Sequence, residues 1–68
     1  MTPKEMRLLR FVENMNQTQF AQKLDVKRGK IAFIEAEYEE MPRHIVEKIE
    51  QSFDREKLAK IKAFIESI

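Results

Sequence analysis

The chain has 68 residues, of which 43% are apolar and 37% charged, with a net charge of +1 and no cysteine. A chain this short buries only about 60% of the surface its unfolded form exposes, so it supports one core and one domain, and a second is excluded. Neither disulfides nor thiolate metal sites can supplement that core, and nothing calls for an oxidising compartment.

No uncharged stretch approaches the roughly 20 apolar residues of a membrane helix, and the first residues lack a signal-type apolar run. A soluble, cytoplasmic protein with no membrane partner is expected. One glycine and two prolines, set against abundant Lys, Glu, Ala, Leu, Ile and Gln, predict an all-α fold. The charge is unevenly spread. Residues 1–34 hold seven Lys or Arg against three acids, a net +4, and residues 35–68 hold six against nine, a net −3.

Thr2-Pro3-Lys4-Glu5 is a capping box with proline at the first helical position, which starts a helix over about 3–13. Met6, Leu9 and Phe11 are its candidate core residues, and Asn14 suits the left-handed conformation that ends helices. Asn16 with Gln19 forms a second box, and Met15 and Phe20 occupy staple positions, giving helix two over about 17–24 with Phe20, Ala21 and Leu24 inward. Asp25 tolerates a turn. Helix three spans about 28–36, poorly capped, with Ile31, Ile34 and Glu35 on one face. Pro42, at a first helical position, opens helix four over about 42–52, whose stripe is Ile45, Val46, Ile49 and Phe53. Asp54 caps helix five over about 55–67, stapled by Phe53 and Leu58, in which Leu58, Ile61, Ile65 and Ile68 recur beside Phe64.

From Gln17 to Glu35, two short helices lie about three residues apart, a spacing that permits a steep crossing only with small and apolar residues at set places. Phe20, Leu24, Val26, Ile31 and Ile34 supply the seam, and Ala21 the small residue. This segment resembles the helix-turn-helix of the phage repressor and Cro family, also called the xenobiotic-response-element family. The resemblance covers roughly residues 5–53. Arg10 and Glu35 match a pair that bridges the first and third helices of that family, and Pro42-Arg43 is similar to its fourth-helix start, where the arginine approaches the DNA backbone.

The resemblance implies a compact five-helix, lambda-repressor-like domain with the helix-turn-helix at helices two and three. Its implied function is that of a transcriptional regulator, encoded by a phage or mobile element, that binds an operator in double-stranded DNA. The third helix would enter the major groove with its N-terminal residues toward base edges. Asn16 and Gln17 would hold phosphates through side chains and exposed backbone N–H groups, and Lys27, Lys30 and Arg43 would add salt-dependent contacts. Arg28 is the candidate base reader, since a guanidinium binds guanine in bidentate fashion; Gly29 would allow close approach and Phe33 would touch a thymine methyl.

The sequence departs from the family pattern in three places. Asp25 stands where glycine is usual. The outward face of helix three reads Gly29, Ala32, Phe33 and Ala36, with few hydrogen-bonding groups, and the following connection carries Glu37, Glu39 and Glu40, which repel a duplex. These features fit an alternative, a modulator or anti-repressor that docks a partner repressor through a Phe33 patch rimmed by acids. Core packing of Phe33 is the bland reading, and solvated charge is that of Arg28 and of the acidic connection.

His44, the only histidine, has no partners for a zinc site and no nucleophile or pocket for acid-base work, so neither metal, cofactor nor catalytic residue is expected. The isolated Gly29 makes no phosphate-cradling loop. A single core cannot easily use all the apolar residues of helix five. Phe64, Ile65 and Ile68 are therefore assigned to a two-fold homodimer contact, which would set two recognition helices one DNA turn apart.

Overall fold

Thr2 starts the first helix by reciprocal capping. Its hydroxyl accepts the Glu5 N–H at 3.2 Å while the Glu5 carboxylate accepts the Thr2 N–H at 2.9 Å, pairing two backbone donors near a helix start. In the computed structural model, which describes residues 1–68, five α-helices follow in order and there is no strand: α1 (Pro3–Val12), α2 (Gln17–Leu24), α3 (Arg28–Glu35), α4 (Arg43–Ser52) and α5 (Arg55–Ser67). Asn16 and Gln19 cap α2 reciprocally at 2.8 and 2.9 Å, and the Asp54 carboxylate accepts the Glu56 N–H at the start of α5. No helix is long and apolar enough to cross a membrane.

Three expected boundaries shift by one residue. Glu13 and Ala36 are C-caps rather than members of α1 and α3. Pro42 is the N-cap of α4, not its first helical residue: its ψ of 142° is extended, and its carbonyl accepts the Ile45 and Val46 N–H groups. The ring thus limits the approach to α4 without entering it.

The ends of α1, α2 and α3 share one device. Met15 N–H donates to Arg10 O and Asn14 N–H to Phe11 O; Val26 donates to Ala21 and Asp25 to Gln22; Tyr38 donates to Phe33 and Glu37 to Ile34. Each pair is the Schellman arrangement, which requires a left-handed residue at the turn. Those residues are Asn14 (φ 56°), Asp25 (φ 57°) and Glu37 (φ 62°). The one glycine, Gly29, lies inside α3 and serves none of them. Asn and Asp tolerate this conformation, whereas Glu gains no comparable local hydrogen bond there.

Every helix contributes to a single core. Met6 and Leu9 of α1, Phe20, Ala21 and Leu24 of α2, Ile31 and Ile34 of α3, Ile45 and Ile49 of α4, and Ile61 of α5 are buried around Phe53. The Phe20 and Phe53 rings stack with centroids 5.8 Å apart, and the Lys23 ammonium lies 5.2 Å from the Phe53 ring centre. Phe53 does this from the C-cap of α4, just before α5, so the connection itself is anchored. Phe11, expected in the core, is 58% exposed; it carries the Arg10 guanidinium over its ring at 4.8 Å instead. Val46 is only half-buried. On α5 only Ile61 is buried; Leu58 and Ile65 are half-buried, and Phe64 and Ile68 are exposed. Lys57 Nζ meets Glu13 Oε2 at 2.7 Å, tying α5 to the end of α1.

Replacing Glu37 with glycine relieves the left-handed strain while keeping both backbone hydrogen bonds. Stability to urea is expected to rise by about 1 kcal/mol, with Asn14→Gly gaining less. Equal or lower stability of E37G than wild type contradicts this account of the α3 end.

Candidate nucleic-acid interface

Arg10 on α1 and Glu35 on α3 meet as a two-pronged pair: Nε to Oε2 at 2.7 Å and Nη2 to Oε1 at 2.8 Å. The remaining prong, Nη1, donates to the Met15 carbonyl at 3.0 Å, just ahead of α2. The two side chains are 11% and 6% exposed, so the pair is largely screened from water. Hydrogen bonding to Glu35 and, less, its charge raise the guanidinium pKa above its ordinary value, against the opposing effect of burial. The shift favours the charged guanidinium, so Arg10's own linkage contribution is fully present below the ordinary arginine value and is lost only as pH rises above it.

Gln17, the first residue of α2, extends this pair outward. Its Nε2 donates to Glu35 Oε1 at 3.2 Å, and its Oε1 accepts from Arg28 Nη1 at 3.2 Å. A carboxylate only accepts and a guanidinium only donates, so this orientation of the carboxamide alone satisfies both neighbours. A continuous chain of polar contacts runs from the buried Arg10 to the exposed Arg28 at the start of α3.

The other expected site residues divide into free and engaged groups. The Asn16 carboxamide oxygen and backbone N–H are both used in capping, which leaves its amide N–H groups for an outside acceptor. The backbone N–H groups of Gln17 and Thr18 have no acceptor within the protein. Lys27 is exposed at the N-cap of α3, where a lysine side chain has no acceptor to offer the helix. A Cβ added at Gly29 would meet nothing within 4 Å, so the glycine leaves open space at the surface. Arg43 is exposed, with its Nε 3.4 Å from Glu47 Oε1 one turn on.

Lys30 is engaged. Its Nζ lies 2.9 Å from Glu39 Oε1, an oxygen shielded from solvent and not aligned for a hydrogen bond with any group. Phe33 is 59% exposed, which removes core packing as its role; its ring meets Tyr38 edge-on with centroids 5.8 Å apart. This is the apolar contact that accompanies a Schellman end. Tyr38, which sequence reasoning passed over, is 78% exposed. No three His, Cys, Asp or Glu side chains gather as metal ligands.

The surface around the start of α2 and α3 thus carries two free backbone donors, two exposed cations and a glycine gap, bordered by an aromatic pair and by carboxylates. Such a surface can bind an extended anion through charge-assisted hydrogen bonds. The chain matches no protein-family model, no curated protein and no solved structure.

Removing one member of the Arg10–Glu35 pair leaves the other charge buried and frees Gln17. Glu35→Gln is expected to cost about 3 kcal/mol in urea denaturation, while the double change Arg10→Met with Glu35→Leu costs less than either single change. A loss below about 1 kcal/mol for Glu35→Gln, the range of an exposed pair, contradicts this.

Proposed function

We propose that the chain is a lambda-repressor-like domain, with a helix-turn-helix formed by α2 and α3, that binds double-stranded DNA as a transcriptional regulator of the repressor and Cro type. The observation that carries this reading is the Gln17 bridge. A neutral carboxamide holds Arg28 at the exposed start of α3, so the guanidinium is oriented yet keeps its full charge and its other N–H groups for an outside acceptor. In this reading Arg28 reads a base, Gly29 permits the close approach, and Phe33 meets a thymine methyl. Asn16, the Gln17 and Thr18 N–H groups, Lys27 and Arg43 bind phosphates. None of these roles is catalytic.

The expected oligomer is a homodimer through Phe64, Ile65 and Ile68. The exposure of Phe64 at 56% and Ile68 at 87% supports it, because these side chains have no cover within one copy. Sedimentation is expected to reveal a concentration-dependent dimer that Phe64→Glu abolishes; a strict monomer at every concentration, with or without DNA, rules it out.

A second reading draws on Phe33 and Tyr38, an exposed aromatic pair beside Glu37 and Glu40, which suits docking of a partner repressor better than contact with phosphates. Titrating a short random-sequence duplex against salt decides between the two. Direct DNA binding gives a log–log slope of about −0.9 per phosphate contact, reduced in Arg43→Ala and Lys27→Ala. Absence of binding even at low salt sinks the DNA reading and leaves the partner-docking one.

A further inference from the structure

We infer that Glu39 acts as an internal substitute for a DNA phosphate, holding Lys30 neutralised and lowering the sequence-independent affinity of the α3 surface. The inference rests on the DNA-binding reading above and concerns a residue to which that reading gives no role.

Arg28 and Lys30 are two residues apart on α3. At about 100° per residue they project to opposite flanks of the helix, on either side of the face that holds Gly29 and Phe33. Each has an internal partner, but the partners differ in charge. Arg28 is held by the neutral Gln17 carboxamide and Lys30 by the Glu39 carboxylate at 2.9 Å. The first cation therefore meets a phosphate without internal competition, while the second, in a pair whose side chains are 35% and 36% exposed, already has a carboxylate opposing its charge.

The backbone brings Glu39 to this place. After α3 the chain reverses at Glu37, in the left-handed conformation, and the Tyr38 N–H returns to the Phe33 carbonyl. Tyr38 packs edge-on against Phe33, which fixes the next residue near the flank of α3. Glu39 Oε1 is shielded from water and forms no aligned hydrogen bond, so its sole compensation is the Lys30 charge. A carboxylate so placed competes with a phosphate oxygen for the same ammonium. Glu40, next in the chain, is exposed and has no cationic partner. It supplies the same charge without the contact.

The test compares wild type with Glu39→Gln, Glu40→Gln, Lys30→Gln and the double variant Lys30→Gln with Glu39→Gln, in salt titrations against a short random-sequence duplex. Thermal melting first establishes that each variant folds. Glu39→Gln is expected to bind more tightly than wild type, with a salt slope steeper by about 0.9, the value of one added phosphate contact. Glu40→Gln leaves the slope unchanged. Lys30→Gln alone changes the slope little, because Glu39 already occupies the ammonium, but in the double variant it abolishes the gain. Equal steepening by Glu39→Gln and Glu40→Gln overturns the inference in favour of general repulsion. Wild-type binding with no change in Glu39→Gln overturns the inference and spares the DNA reading, and failure of every variant to bind at low salt overturns both.

Discussion

The arrangement of the first three helices depends on one guanidinium. Arg10 uses two prongs on Glu35 of α3 and a third on the Met15 carbonyl at the threshold of α2, so a single planar group joins three elements. Burying a charge pair is not in itself stabilising, because desolvation offsets much of the attraction. Its effect lies in selection. Any sliding of α3 against α1 that kept the apolar contacts but separated the two groups would leave an uncompensated charge in a poorly solvated site. Gln17 carries the same constraint to the surface, where its carboxamide has one orientation compatible with both Glu35 and Arg28.

Such a constraint matters because the elements it joins are weak. The helices α2 and α3 have eight residues each, below the roughly 12–15 needed for even marginal helicity in isolation. Their ends must be closed by other means. Two reciprocal capping boxes start α1 and α2, and three Schellman turns end α1, α2 and α3. The same turns redirect the chain, so the features that terminate the helices also deliver Met15, Val26 and Tyr38 to their packing positions. Lacking glycine at all three turns, the chain accepts left-handed Asn, Asp and Glu there. The cost is greatest at Glu37, and the result of that turn is the exposed Phe33–Tyr38 contact.

What could be read from the sequence follows the range of the interaction involved. Thr2 with Glu5, Asn16 with Gln19, and Asp54 are capping residues that act within three positions, and their roles were legible from spacing. The Arg10–Glu35 pair spans 25 positions and was legible only through resemblance. Phe11 misled through its hydrophobicity alone: at about 100° per residue it lies nearly opposite the stripe of Met6 and Leu9, and it stays exposed with the Arg10 guanidinium over its ring. Pro42 suits the N-cap as well as the first helical turn, since both accept its fixed φ. The excess of apolar side chains on α5 was visible as a count too large for one core, and Phe64 and Ile68 are the residues left over. The left-handed Glu37 and the Lys30–Glu39 contact had no signal at all, because the second depends on the first and glutamate is an unfavourable residue for that conformation.

Charge illustrates the difference between composition and field. The first 34 residues carry a net +4, which reads as a basic surface. Folding redistributes it: Arg10 pairs with Glu35 and Lys30 with Glu39, both acids from the second half of the chain, while Lys57 from that half pairs with Glu13. The cations left to act at the α2–α3 surface are those held by neutral partners or by none, chiefly Arg28 and Lys27. Under the proposed DNA-binding reading, a surface that retains few uncompensated charges gives up non-specific attraction, and a larger share of recognition would then come from the groups that are geometrically fixed. Arg28, held through Gln17 to the buried ion pair, is such a group.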